Sequence, residues 1–212
     1  MSNEKETTRV EAFSDGVFAI AITLLILEIK VPKMETAMTN SQLFSSLMNL
    51  WPSYFAFLLS FSAVLIMWIN HHAFFKYLKT INTKFLYANG FLLLMVTFIP
   101  FPTAVLAEHL NSSAAIAACA FFCGSMILVS IAFNILWHAT AYKRALVKDE
   151  ISDALILKIR NAYWLGFLVY LIAFILTFFY ALAGLILCIS FWVFWIFLDY
   201  SQEGSKLKHR KN

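Results

Sequence analysis

Arg9, Glu11, Ser14 and Asp15 open a segment, RVEAFSDGVFAIAITLLILEIKVP, that then runs uncharged to Glu28. A carboxylate within or beside a membrane span is costly, and it requires a hydrogen-bonding or charged partner at its own depth. A later apolar run supplies candidates: its end reads WINHH, so Trp68, Asn70, His71 and His72 are all donors or acceptors. A bond from Ser14 or Asp15 to this group would clamp two helices together and fix the rotation of the first. Two other chemistries remain open for the same residues. Paired histidines suit a metal or haem, although adjacent side chains on a helix diverge by about 100° and chelate one ion poorly. Asp15, His71 and His72 also suit a proton relay in a proton-coupled carrier, because imidazole titrates near neutral pH.

The first segment carries a second pattern. At helical periodicity Arg9, Phe13, Gly16, Ile20, Thr23, Leu24 and Leu27 share one face, whereas Ser14 and Asp15 point away from it. The stripe is aliphatic with one hydroxyl. It is either ordinary helix-packing surface or a wall facing something other than its own chain. Glu28 concentrates cations at a mouth or stands as a solvated end charge beside Lys30. Cys119, Cys123 and Cys188 all lie in apolar runs and read as small buried hydrophobes, with no third ligand for a metal and no disulfide framework. No activated Ser or Cys and no zinc-ligand spacing is found, so the chain is not expected to be an enzyme or to carry a cofactor.

The elements that must position these residues follow from composition. Of 212 residues 61% are hydrophobic and 13% charged, which points to an all-α membrane protein forming one domain over residues 1–212. The net charge of +4 is too small and scattered for nucleic acid. The leader Met1 to Thr8 has mixed charge, and no small-residue cleavage site follows the apolar run, so a cleavable signal is not expected. A span needs about 20 apolar residues. The first segment is one; Pro52 to His71 is a second, with Pro in its first turn; residues 85–107 and 109–142 hold the third and fourth. The run from Asn161 to Leu198 is too long for one span and divides near Tyr180 to Gly184, giving six. Pro100 and Pro102 should kink the third span. The stretch LVKDEISDALILKIR reads as a short cytoplasmic helix continuing into span five, with a start at Ser152 and Asp153.

Six spans place fourteen of the sixteen Lys and Arg residues on one side, leaving Lys30 and Lys33 on the other. Both termini are therefore expected in the cytoplasm of a multi-pass cell-membrane protein. The basic tail, about residues 200–212, is a topology signal or a contact for anionic lipid.

RVEAFSD (Arg9, Phe13, Ser14, Asp15) resembles the R-x-x-x-F-S-D signature that opens the first helix of the transmembrane protein 175 family of potassium channels. GVFAIAITLLIL, WINHH and PFPTAVLAE are similar to further marks of that family, and the resemblance covers the first half of the chain. It implies a potassium-permeable channel, a homotetramer in the bilayer with helix 1 of four subunits around the pore. Its pore positions fall on Ile20, Thr23, Leu24 and Leu27, and its signature residues form an interhelical network rather than touching ions. The chain has no T-V-G-Y-G run, which excludes the usual carbonyl filter. A ring of Ile20 side chains would instead act as a hydrophobic constriction that gates by dewetting. The proton-coupled secondary transporter using Asp15 and His71/His72 is the alternative.

Overall fold

A computed structural model describes residues 2–32 and 39–197, with side chains from Lys5 onward. Lys33 and the basic tail lie outside the described residues. The described residues fold chiefly into helices: α1 Ser2–Leu24, α2 Asn40–Asn49, α3 Trp51–Phe75, α4 Thr83–Phe98, α5 Pro100–His109, α6 Ala115–Ala141, α7 Asp153–Thr177 and α8 Ala181–Phe197. Among the described residues five stretches are long and apolar enough to cross a membrane: Lys5–Glu28, Trp51–Phe75, Thr83–His109, Ala115–Arg144 and Asp153–Thr177. The sixth, α8, is shorter, at 17 residues. The protein is an all-helical membrane protein of five long apolar helices and one shorter one.

Local chemistry sets the helix starts. Pro52 lies in the first turn of α3, where a missing N–H is harmless. Asn82 Oδ1 accepts the Phe85 N–H at 2.9 Å to cap α4, and Ser152 Oγ accepts the Leu155 N–H at 3.2 Å to cap α7. The third span is broken where its prolines sit: α4 stops at Phe98 and α5 begins at Pro100. Pro100 cannot donate to Val96, so the Ile99 N–H takes that carbonyl at 3.2 Å. The break is held from α3, where buried Ser60 hydrogen-bonds buried Thr103.

Leu146 to Ile151 differ from the helix expected of them. They are not helical: Leu78 and Val147 form an antiparallel bridge, with the Lys79 N–H on Leu146 O and the Lys148 N–H on Tyr77 O, both at 2.9 Å. Lys79 reinforces the bridge through Asp149 at 2.8 Å. Tertiary pairing has overridden helix propensity. The bridge joins the segment after α3 to the segment after α6, so both lie at one end of the bundle.

The core centres on α6, which packs against α4, α5, α7 and α8. Phe122, Cys123, Met126 and Leu136 on it are fully buried. The α7–α8 turn falls at Phe178–Tyr180, slightly before the stretch read as the division. Gly184 lies inside α8, where a Cβ would come within 2.5 Å of Ala173 O and 2.8 Å of Thr177 N. It permits close approach of the two helices rather than ending one. α1 packs against α3 and α4 through buried Ser14, Phe18 and Ala21, and the 3-10 turn that continues it, Leu25–Glu28, buries Leu25.

Candidate functional site

The N-terminal half of α1 is fastened by three separate contacts. Trp68 Nε1 donates to Asp15 Oδ1 at 2.9 Å, joining α3 to α1. Asn89 on α4 donates from Nδ2 to Ser14 Oγ at 2.9 Å, and Ser14 Oγ donates to Val10 O at 2.8 Å. Asn89 Oδ1 lies 2.8 Å from His71 Nε2. With the Asn89 amide hydrogen directed at Ser14, its carbonyl accepts, so His71 carries its proton on Nε2. Ser14 and His71 are fully buried and Asn89 nearly so. The His71 ring sits between Phe18 at 5.1 Å and Phe75 at 5.0 Å. The third contact is between His72 Nδ1 and Glu11 Oε1, which approach to 3.1 Å without hydrogen-bond alignment.

The partner of Asp15 is thus Trp68, and each of the other candidates has its own. Asn70 turns back to donate to Ile66 O at 2.8 Å and lines an interior cavity with Ser130, Tyr163 and Tyr170. Asp15, His71 and His72 contact Trp68, Asn89 and Glu11 respectively, so no direct bond among the described residues links the acid to either imidazole. Arg9 and Phe13 stand apart from the network in the single chain, bordering a groove with Leu86 and Gly90. Asn89 and Glu11 are the contributors that sequence reasoning did not place. Asn89 had a signal: a polar amide in an otherwise apolar run must find a partner.

These contacts set the rotation of α1. With Ser14, Phe18, Ala21 and Leu25 turned inward, the opposite face carries the stripe: Phe13 is 66% exposed, Ile20 60%, Leu24 45% and Leu27 61%, with Gly16 and Thr23 also exposed. Thr23 Oγ1 donates to Ile20 O at 2.9 Å. Its hydrogen is directed along the helix, which leaves the oxygen lone pairs on the exposed side. At the far end Lys30 Nζ donates to Leu27 O at 2.9 Å, and no Glu28–Lys30 ion pair is formed.

A family model described as endosomal/lysosomal potassium channel TMEM175 matches residues 9–100, a range that contains the whole network and stripe. A potassium channel of Chamaesiphon minutus is 47% identical over 175 residues, covering 82% of this chain and 86% of that one. A potassium channel of Streptomyces collinus is 46% identical over 137 residues, 64% of this chain and 65% of the other. The fold matches the crystal structure of a lysosomal potassium-selective channel TMEM175 homologue from Chamaesiphon minutus, with a TM-score of 0.80 and 43% identity over 91% of this chain and 97% of that one. Identity at this level extends well past the N-terminal motifs into the second half of the chain. The chain belongs to the TMEM175 family of ion channels, not to an enzyme family.

Proposed function

We propose that the protein is a potassium-permeable channel of the cell membrane, a homotetramer in which four copies of α1 surround the ion path. The observation that carries this reading is the α1 stripe: the network buries one face of the helix and leaves Ile20, Thr23, Leu24 and Leu27 uncovered in the single chain. One stripe cannot enclose an ion, whereas four around an axis can. In that arrangement Ile20 forms an apolar neck that empties of water when narrow and conducts when slightly wider. The Thr23 lone pairs replace part of a cation's hydration shell about one turn away. Selectivity from such a wall is modest beside that of a carbonyl cage.

Residues 1–212 act as a single channel domain with both termini in the cytoplasm. The charge asymmetry supports this orientation, and so does the bridged end, which carries Lys76, Lys79, Lys143, Arg144 and Lys148. Arg9 and Phe13 then face the inner mouth, while Ser14, Asp15, Trp68, His71 and His72 hold the angle of α1. The carrier reading has no observation in its favour.

The test is planar-bilayer recording of the purified protein under opposed potassium and sodium gradients. Discrete openings with a reversal potential displaced toward that of potassium are expected. Slow saturable flux without unitary steps would refute the channel.

A further inference from the structure

The end of the bundle that carries the Leu78–Val147 bridge has more cations than the pairing there consumes. Asp149 is taken by Lys79 at 2.8 Å, and Arg144 is bound to Asp153 and to Ile151 O. Arg160 and Lys143 have no carboxylate partner among the described residues. Lys143 instead lies 5.5 Å from the centre of the Tyr142 ring. It reaches that position because Lys143 and Arg144 both take left-handed backbone angles, φ 51° and 55°. Two consecutive non-glycine residues in this region mark a turn held by its surroundings.

Between α6 and α7 beside this turn runs a groove of about 570 Å³ whose lining contains no acid. Its polarity is ordered along its length. His138 on α6, Tyr142 just after it and Arg160 on α7 stand at the loop end; Trp164, Phe167 and Ile135 continue inward. At the rise of a helix Phe167 lies about 10 Å deeper than Arg160. Tyr142, Trp164 and Ile135 are half exposed in the chain, and amphipathic rings at this level suit a membrane–water boundary. Ile135, His138 and Tyr142 also form one wall of a second groove toward α4, which bears Lys84. The mouth is thus cationic on both sides of α6, and its floor is apolar except for Asn134, whose amide donates to Ser130 O and Tyr163 O.

We propose that the α6–α7 groove binds an anionic phospholipid. Arg160 and His138, with Lys143 above Tyr142, hold the phosphate, and the acyl chain lies along Trp164, Phe167 and Ile135. Cation followed by apolar surface at the depth of a bilayer leaflet matches a lipid from headgroup to tail. A water-soluble peptide or free phosphate would leave the inner half of the groove uncovered.

The experiment is native mass spectrometry of the full-length protein, delipidated in mild detergent and titrated with phosphatidylglycerol or phosphatidylcholine of identical chains. Phosphatidylglycerol is expected to bind preferentially. Each cation removed should weaken it about fivefold, so the Arg160→Gln, Lys143→Gln double variant should approach phosphatidylcholine levels while Arg160→Lys retains most binding. Trp164→Ala, which keeps every charge, should weaken both lipids, and Lys76→Gln at the same end should weaken neither. Equal binding of the two lipids, an unchanged double variant, or an equal loss from Lys76→Gln would overturn the site. So would displacement of phosphatidylglycerol by inorganic phosphate, or Trp164→Cys cross-linking two copies, which would place a subunit there instead.

Discussion

Replacing Asn89 isolates the joint between α1, α3 and α4. The amide is nearly fully buried, donates to Ser14 Oγ at 2.9 Å and accepts from His71 Nε2 at 2.8 Å. Asn89→Leu keeps the branched shape and deletes both bonds. Ser14 retains its own bond to Val10 O, but the His71 N–H is left facing the Phe18 and Phe75 rings with no acceptor. A buried unmet donor in a soluble protein costs about 1–3 kcal/mol. Interhelical bonds within membranes are weaker, averaging about 0.6 and reaching about 1.7 kcal/mol, because the membrane-inserted unfolded state also finds partners. Two such bonds therefore place the loss at about 1–3 kcal/mol. Reversible unfolding in mixed micelles reads that loss as a shift in midpoint. Asn70→Leu is the matched control: its bond to Ile66 O is within one helix, so its cost should stay below about 1 kcal/mol. A double-mutant cycle with His71→Phe should return a coupling near 1 kcal/mol. An Asn89→Leu protein that unfolds at the wild-type midpoint, or a coupling of zero, would refute the network as the device that fixes α1.

Thr23→Ala should lower the preference for potassium over sodium in bilayer reversal potentials, and an unchanged ratio would remove the hydroxyl from the ion path. Gly184→Ala places a methyl against Ala173 O and Thr177 N, backbone atoms that cannot swing aside; a loss of about 1–3 kcal/mol is expected in thermal unfolding, and a neutral result would contradict the close α7–α8 approach. The hydrogen bond from Lys79, with its charge, holds the Asp149 carboxyl below the ordinary carboxylate range. A depressed folded-state value means that this pair stabilises above the unfolded pKa and is lost as pH falls through the folded one. Asp149→Asn should therefore be less stable than wild type near neutrality and converge with it in acid; a difference that persists at low pH would assign the effect to something other than the ion pair.

The spans are legible in the sequence because an uncharged run of about 20 apolar residues bounded by charge matches the thickness of the hydrocarbon, and the Pro100–Pro102 break follows from missing N–H groups. The division of the last run is less so. Gly184 reads as a breaker, and only packing against Ala173 and Thr177 reveals that it serves contact. The helix start at Ser152 and Asp153 is legible from its capping residue, whereas Leu146 to Ile151, read as helix ahead of it, pair instead with Tyr77 to Lys79. In the network, Asp15 advertises its need for a partner, yet Trp68, Asn70, His71 and His72 lie within little more than one turn. The rotation of α3 selects among them. Asn89 carries no charge and so stands out less from its apolar run. The stripe on α1 is legible from periodicity alone because its angle is fixed by the same residues that the sequence marks as polar.

The central claim, that the uncovered stripe of α1 lines the ion path, is tested most directly by bilayer recording of an Ile20→Cys protein exposed to a charged, membrane-impermeant thiol reagent. The native thiols of Cys119, Cys123 and Cys188 are buried and should not respond, with wild type as the check. Modification at residue 20 is expected to abolish or strongly change the potassium current in Ile20→Cys and leave wild type untouched. Full current after exposure, with the residue 20 thiol reacting only with lipid-soluble reagents, would place the stripe in the bilayer and contradict the account.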